Sequence, residues 1–196
     1  MRNARYTGDA VPKHLLPPEF QYSFTDIYRS LNTDMRKVVQ VGCNTESKAQ
    51  LIDAWSPFVA AMSDGMEKIP AEGPRTLYRG CIGNLSKILS RYKLGQICSF
   101  SCFTSCTTDL HKAYILACCV HDRVDDDDLF VFRFKCKSAV SISKFSIFPY
   151  ENEFILRPNV QFTAGGSSIV DHKSVGALCV VDLTEIDRTL GTAVDF

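Results

Sequence analysis

Residues 128–137 alternate between apolar and polar side chains more strictly than the rest of the chain, and they constrain the fold most. Phe130, Phe132, Phe134 and Cys136 fall on one side, and Val131, Arg133, Lys135 and Lys137 fall on the other. Residues two apart on a strand share a face, so this run predicts a strand with an aromatic face that must be covered by a second layer. Thr76 to Cys81 repeats the pattern, with Leu77 and Arg79 on one face and Tyr78 on the other. Extended runs at Gln96 to Cys106, Val160 to Thr163 and Ala177 to Leu183, with a turn at Gly165 and Gly166, supply further strands.

Helical spacing dominates the earlier part. From Phe24, Ile27, Leu31, Met35 and Val38 recur every three to four residues, and Ser23 with Asp26 forms a candidate capping pair. A second helical stretch starts near Ser47 and aligns Leu51, Trp55, Phe58 or Val59, and Met62. Pro57 inside it predicts a kink or a split. Leu85 to Tyr92 reads as helical or irregular, and Thr107 or Thr108 is placed to cap a helix carrying Leu110, Tyr114, Ala117 and Cys118. Helices first and strands after predict an α+β protein with a mostly antiparallel, sandwich-like core. Residues 1–22, with Pro12, Pro17 and Pro18 and no periodicity, read as an extended arm. Residues 23–196 form one domain, helical over about 23–72 and β-rich over about 73–196.

Charge and composition narrow the partners. Lys plus Arg and Asp plus Glu both number 22, so net charge is zero and gives no global attraction for nucleic acid or an anionic membrane. No apolar run approaches the roughly 18 residues of a membrane span. The stretch Met1 to Pro18 lacks the apolar core of a secretory signal. Nine cysteines, an odd number without such a signal, predict reduced thiols. Cys98, Cys102 and Cys106 recur every four residues with His111 close behind, but on one strand they would lie in a line rather than around an ion, so no metal is expected. Five aspartates within His121 to Asp128 lack the glycine and distal glutamate of a calcium loop and read as a solvated turn.

The chemistry concentrates at Tyr150, Glu151, Asn152, Glu153, Phe154, Ile155, Leu156, Arg157 and Pro158. On a strand Glu151 and Glu153 would sit side by side, where repulsion separates their proton affinities and lets them take different roles. Taken alone, the pair suits a charged, solvated strand edge better than a catalytic cleft.

Three motifs in order carry a resemblance: Leu77, Tyr78, Arg79, Gly80; then Phe103, Thr104, Ser105, Cys106, Thr107; then Glu151, Asn152, Glu153 with an aliphatic run and proline behind. Together they resemble the arginine-type mono-ADP-ribosyltransferases, the class marked by an arginine, a serine-threonine-serine element and a Glu-x-Glu pair. Tyr28, Leu31, Asn32, Met35 and Arg36 add a family-like helical pattern, so the resemblance spans roughly residues 22–183. It departs at the second motif, which reads Ser-Cys-Thr. Cys106 there faces away from Ser105 and suits the core, while Thr107 keeps a hydroxyl.

The resemblance implies an ADP-ribosyltransferase-like fold and transfer of ADP-ribose from NAD, as co-substrate, to arginine on a target protein. Glu153 would stabilise the oxocarbenium-like transition state and Glu151 would orient and deprotonate the acceptor, with Ser105 bonding Glu153. Arg79, Gly80, Ser105, Thr107 and Glu153 would form the NAD site. Phe148 and Tyr150, just before the pair, are candidate contacts to the protein substrate or, equally, core aromatics. Hydrolysis of NAD by the same site and a catalytically silent binding module are the alternative readings. The expected form is a monomer acting in cytosol, either native or delivered as an effector by a route independent of a signal peptide.

Overall fold

The computed structural model describes residues 25–39, 45–70, 72–120, 128–146, 150, 152–173 and 175–186. The arm, the Ser23 cap, the aspartate run before Asp128, Phe148 and Glu151 lie outside them. The chain divides into two units, residues 1–70 with 142–150, and residues 71–141 with 151–196.

The first unit contains α1 (Thr25–Val39) and α2 (Thr45–Lys68). Leu31 of α1 and Met62 and Met66 of α2 are fully buried, as helical spacing requires. The helices are tied by Asp34, whose carboxylate accepts from Lys37 Nζ at 2.8 Å and from Trp55 Nε1 at 3.0 Å. Those two hydrogen bonds, first Lys37 and then Trp55, hold the Asp34 carboxyl below its ordinary value. Pro57 neither ends nor splits α2, which runs unbroken through it. Proline removes the amide that would bond the Asp53 carbonyl, and the neighbouring Ser56 hydroxyl donates to Ile52 O on the same turn.

The second unit holds eight strands among the described residues: β1 (Arg75–Gly83), β2 (Ile97–Ser99), β3 (Thr104–Thr107), β4 (Asp128–Cys136), β5 (Val140–Ser141), β6 (Glu153–Leu156), β7 (Gln161–His172) and β8 (Gly176–Glu185). Their order is β2-β7-β8-β4-β1-β3-β6-β5, antiparallel except where β4 runs parallel to β8. β1 pairs with β4 along its whole length, Arg75↔Cys136 to Gly83↔Asp128. With β3 it pairs only at Tyr78↔Thr107. A five-strand group and a three-strand group are therefore joined through one register position, which is how a continuous hydrogen-bonded order contains the expected two-sheet core.

The alternation of β4 is realised. Phe130, Phe132, Phe134 and Cys136 enter a buried cluster with Leu77, Cys106, Phe154, Leu156, Phe162, Val181 and Leu183. Phe100 stands edge-on to Phe132 at 5.4 Å and to Phe134 at 5.6 Å, and Tyr92 meets Phe132 at 5.0 Å. Each such ring removed from water contributes about 1.5–3 kcal/mol. Helix α3 (Leu85–Arg91), capped by Asn84 accepting from Lys87 N at 3.0 Å, lays Leu85, Ile88 and Leu89 against this cluster. On the other side Val131, Leu178 and Val180 pack with Tyr78, Leu110 and Tyr114. Arg133, directly opposite Asp182, grips its carboxylate with two bonds of 2.6 and 2.8 Å.

Two expectations change. Gly165 and Gly166 do not make a turn: β7 runs through them to His172, and the register with β8 shifts there. Gly166 has φ +85°, which lets the strand absorb an extra residue as a bulge. Gln96 to Cys106 is not one strand either. β2 lies at one end of the sheet order and β3 beyond β1, so Cys98 and Cys106 belong to different strand groups.

Burial pushes the Cys136 thiol from 9.0 to about 12 and the Tyr92 phenol from 10.0 to about 12. Above about pH 9 the unfolded chain loses these protons first, so folding stability falls as pH rises towards 12. The urea midpoint is expected to hold from pH 7 to about 9 and decline above it, less so in Tyr92→Phe. A midpoint constant up to about pH 11 would contradict this account of the core.

Candidate functional site

The three motif strands are consecutive neighbours, β1, β3, β6, in the sheet order. The sequence places them some 26 and 48 residues apart by number, from Arg79 to Ser105 and from Ser105 to Glu153. Antiparallel pairing of β3 with β6 sets Thr107 against Glu153, Cys106 against Phe154 and Ser105 against Ile155. Arg79 closes the group by donating from Nη1 to the Ser105 carbonyl oxygen at 2.8 Å. The arginine thus reaches across to the second motif through its main chain.

The split between strand groups opens beside these residues. β1 leaves β3 after Tyr78, so the ladder ends where Arg79 and Gly80 begin. A guanidinium and main-chain groups on a strand margin suit the phosphates, ribose hydroxyls and amide of a dinucleotide. The donor set therefore fits NAD in kind.

Cys106 takes the place the sequence assigned to it. It is buried in the aromatic cluster, with its thiol pushed well above the ordinary value, first by burial. The charge of Arg79 opposes that shift and that of Glu153 adds to it, so both fields reach the same sulfur. Glu153 itself is half-buried at the first position of β6.

The helix that follows β3, α4 (Leu110–Val120), is capped by Asp109 rather than by Thr107 or Thr108. Asp109 Oδ1 accepts from Lys112 N at 3.1 Å, and its carbonyl accepts from Ala113 N at 3.0 Å. Thr107 acts one step earlier, its Oγ1 accepting from Asp109 N at 3.3 Å.

Gly80 has a structural reason to be glycine that the sequence did not reveal. A Cβ there would lie 2.1 Å from the Ala113 carbonyl oxygen and 2.8 Å from Ala117 Cβ. Helix α4 lies directly on β1 at this point, and only a hydrogen fits between them. Arg75 was also missed. Its guanidinium lies 4.4 Å from the centre of the Phe154 ring, next to Glu153 in the chain, and it bonds the Glu72 carboxylate at 2.8 Å. Arginine near a distant phenylalanine leaves no periodic trace in a sequence.

Glu151 lies outside the described residues, and the strand that carries Glu153 begins after it. β6 starts at Glu153, and Asn152 before it has φ +50°, a left-handed conformation that asparagine tolerates and a strand does not contain. Tyr150 is 68% exposed, which removes core packing as its purpose.

The sequence matches the NAD:arginine ADP-ribosyltransferase family over residues 20–189. The chain belongs to this family. Solved structures with the same fold include the ADP-ribosyltransferase Vis in complex with agmatine, at TM-score 0.65 and 17% identity, covering 95% of this chain and 80% of that one. Vis toxin is from Vibrio splendidus. Exoenzyme S of Pseudomonas aeruginosa, bound to human 14-3-3 protein beta and carba-NAD, aligns at TM-score 0.56 and 15% identity over 89% of this chain and 74% of that one. The C3 exoenzyme of Clostridium limosum aligns at TM-score 0.59 and 14% identity over 89% and 88%. No curated protein sequence matches the chain significantly. This ADP-ribosyltransferase is NAD-dependent by its family. Among its described residues no helix is long and apolar enough to cross a membrane.

The packing of α4 on β1 gives a paired prediction. Gly80→Ala is expected to cost about 3 kcal/mol in denaturant unfolding, because backbone rather than a flexible side chain blocks the new methyl. Gly83→Ala, whose nearest atom is Phe130 Cε1 at 3.9 Å, is expected to stay within about 1 kcal/mol of the parent. Equal stabilities for the two variants would mean that α4 does not seat on Gly80.

Proposed function

We propose that this chain transfers ADP-ribose from NAD to an arginine side chain of a target protein, with Glu153 as the catalytic carboxylate and Glu151 serving the acceptor. The observation that carries the reading is the adjacency of β1, β3 and β6, which gathers Arg79, Ser105, Thr107 and Glu153 from three separated motifs. Family membership supports NAD as co-substrate. The agmatine complex of Vis supports a guanidine acceptor, since agmatine carries the arginine head group.

The chemistry assigns each residue a task. Breaking the bond between the ribose C1″ and nicotinamide leaves positive charge on the sugar, and the bonding pair departs with nicotinamide. Glu153, fixed at the start of β6, meets that charge as it develops and binds the 2″-hydroxyl of the same ribose, so it favours the transition state over the ground state. Arg79 and the main chain of Gly80, with the hydroxyls of Ser105 and Thr107, hold the dinucleotide. Glu151 orients the acceptor guanidinium and takes the proton it loses as its nitrogen bonds C1″, because a protonated guanidinium is not a nucleophile. Tyr150, exposed, and Phe148 contact the target protein. We assign these tasks to one catalytic domain, residues 23–196, preceded by the arm 1–22. It works as a monomer and without metal, and it acts in cytosol, either native or delivered there as an effector, in keeping with the toxins that share its fold.

Labelled NAD supplied with agmatine or with a cytosolic extract tests the acceptor. Label is expected on agmatine and on extract proteins. In Glu151→Gln, transfer is expected to fall about a hundredfold or more while release of nicotinamide to water persists. Equal loss of both activities would remove the division of labour between the two carboxylates. Nicotinamide release without any transfer by the parent protein would make it an NAD glycohydrolase.

A further inference from the structure

We propose that the C-terminal end of α3, the turn behind it and strand β2 form a membrane-docking corner, which rests the protein on a bilayer that carries anionic headgroups. None of the docking residues belongs to the three motifs, so the surface stands apart from the catalytic reading.

Charge marks the corner first. Acids and bases balance over the whole chain, yet they are unevenly spread. Between Glu72 and Asp109 there is no acidic side chain, while Arg75, Arg79, Lys87, Arg91 and Lys93 all fall in that interval. Lys87 and Arg91 stand one helical turn apart on α3, and both are exposed, as is Lys93. The ion pairs among the described residues engage none of the three. Clustered, exposed cations are drawn to the negative surface potential of an anionic leaflet without needing a shaped partner.

Apolar side chains stand among these cations. Leu94 is 80% exposed and Ile97 63%. The backbone of Leu94 is fixed at the tip of a turn: Gln96 N donates to the Lys93 carbonyl oxygen at 3.0 Å, and Gly95 between them takes φ +81°. The turn is pinned to β7, since Gly95 N donates to Ala164 O at 2.7 Å and Ala164 N donates to Gln96 O at 2.8 Å. Cys98 packs on the aromatic cluster, so its neighbour Ile97 faces the opposite side of the sheet. In register on that side follow Thr163, Thr184 and Lys135, which add hydroxyls and a further cation. Asp182, the carboxylate next along that face from Thr184, is already gripped by Arg133.

A protruding leucine beside lysine and arginine fits a bilayer rather than an acidic protein surface. The acyl region accepts an apolar side chain without a preformed pocket, and long basic side chains keep their charges at the level of the phosphates. Two apolar side chains and a few cations give reversible adsorption, which concentrates the protein at the membrane without anchoring it.

Sedimentation of the purified protein with vesicles tests this. Vesicles of phosphatidylcholine with about one-third phosphatidylserine are expected to carry the protein down at about 0.1 M salt, and vesicles of phosphatidylcholine alone to leave it in solution. Lys87→Gln, Arg91→Gln and Lys93→Gln combined are expected to lower the partition about a hundredfold. Leu94→Ala with Ile97→Ala is expected to lower it about tenfold, and both variants to keep the parental thermal unfolding midpoint. Should the triple variant not keep that midpoint, Arg91→Gln alone takes its place, with an expected loss of about fivefold. No sedimentation with the anionic vesicles, equal sedimentation with the neutral ones, or parental binding by the charge variant or by the apolar variant overturns the proposal. Binding to a single-stranded oligonucleotide without binding to the anionic vesicles also overturns it, in favour of a soluble polyanion.

Discussion

The pairing of Tyr78 with Thr107 is the constraint on which the arrangement depends. β1 is a full member of the larger strand group through β4, and at this one position it is also a member of the smaller group through β3. Without that pair nothing in the ladder would hold β3 and β6 beside Arg79. Beyond it the two groups part, and the residues of the three motifs lie along the parting. A core does the holding and an interruption in the hydrogen-bond pattern leaves main chain available for a ligand. Several side chains brace the junction. Arg79 bonds the Ser105 carbonyl, and Cys106 fills the aromatic cluster behind it.

Burial and chemistry are separated by strand alternation at the second motif. Cys106 points into the apolar cluster with Phe154, while its neighbours Ser105 and Thr107 point the other way, towards the face shared by Glu153 and Ile155. The middle position of this element therefore needs volume and no hydroxyl, which is why cysteine stands there at no cost to the polar side. Under the proposed reading, the same alternation lets one strand both stabilise the protein and serve its reaction. Each interaction of Phe154, including the Arg75 guanidinium over its ring, also fixes the backbone that carries Glu153.

Much of the architecture was legible because it follows from periodicity. The aromatic alternation of β4 and the spacing of Leu31 and Met62 are direct consequences of period two and period 3.6, and burial obeyed them. What stayed hidden depended on contacts between distant residues or on single dihedral angles. Gly80 reads as a glycine suited to a ligand, and its tightest neighbour is the carbonyl of Ala113, some 33 residues along. Asn152 interrupts the pleat with one positive φ immediately before β6, a dihedral angle that residue spacing does not announce. Gly165 and Gly166 look like a turn because glycine serves turns and bulges through the same freedom of φ. Register is the other gap: the motif residues could be named from the sequence, but which hydroxyl faces Glu153 is set by how β3 slides against β6.

The account holds that the junction of β1, β3 and β6 cleaves NAD through the carboxylate at the head of β6. Its most direct test is the rate of nicotinamide release by the purified protein and by Glu153→Gln, both checked for the same thermal unfolding midpoint. The account predicts release by the parent and a loss of about a thousandfold or more in the variant, with the fold intact. Equal release by the two proteins would contradict it and move the chemistry away from this junction.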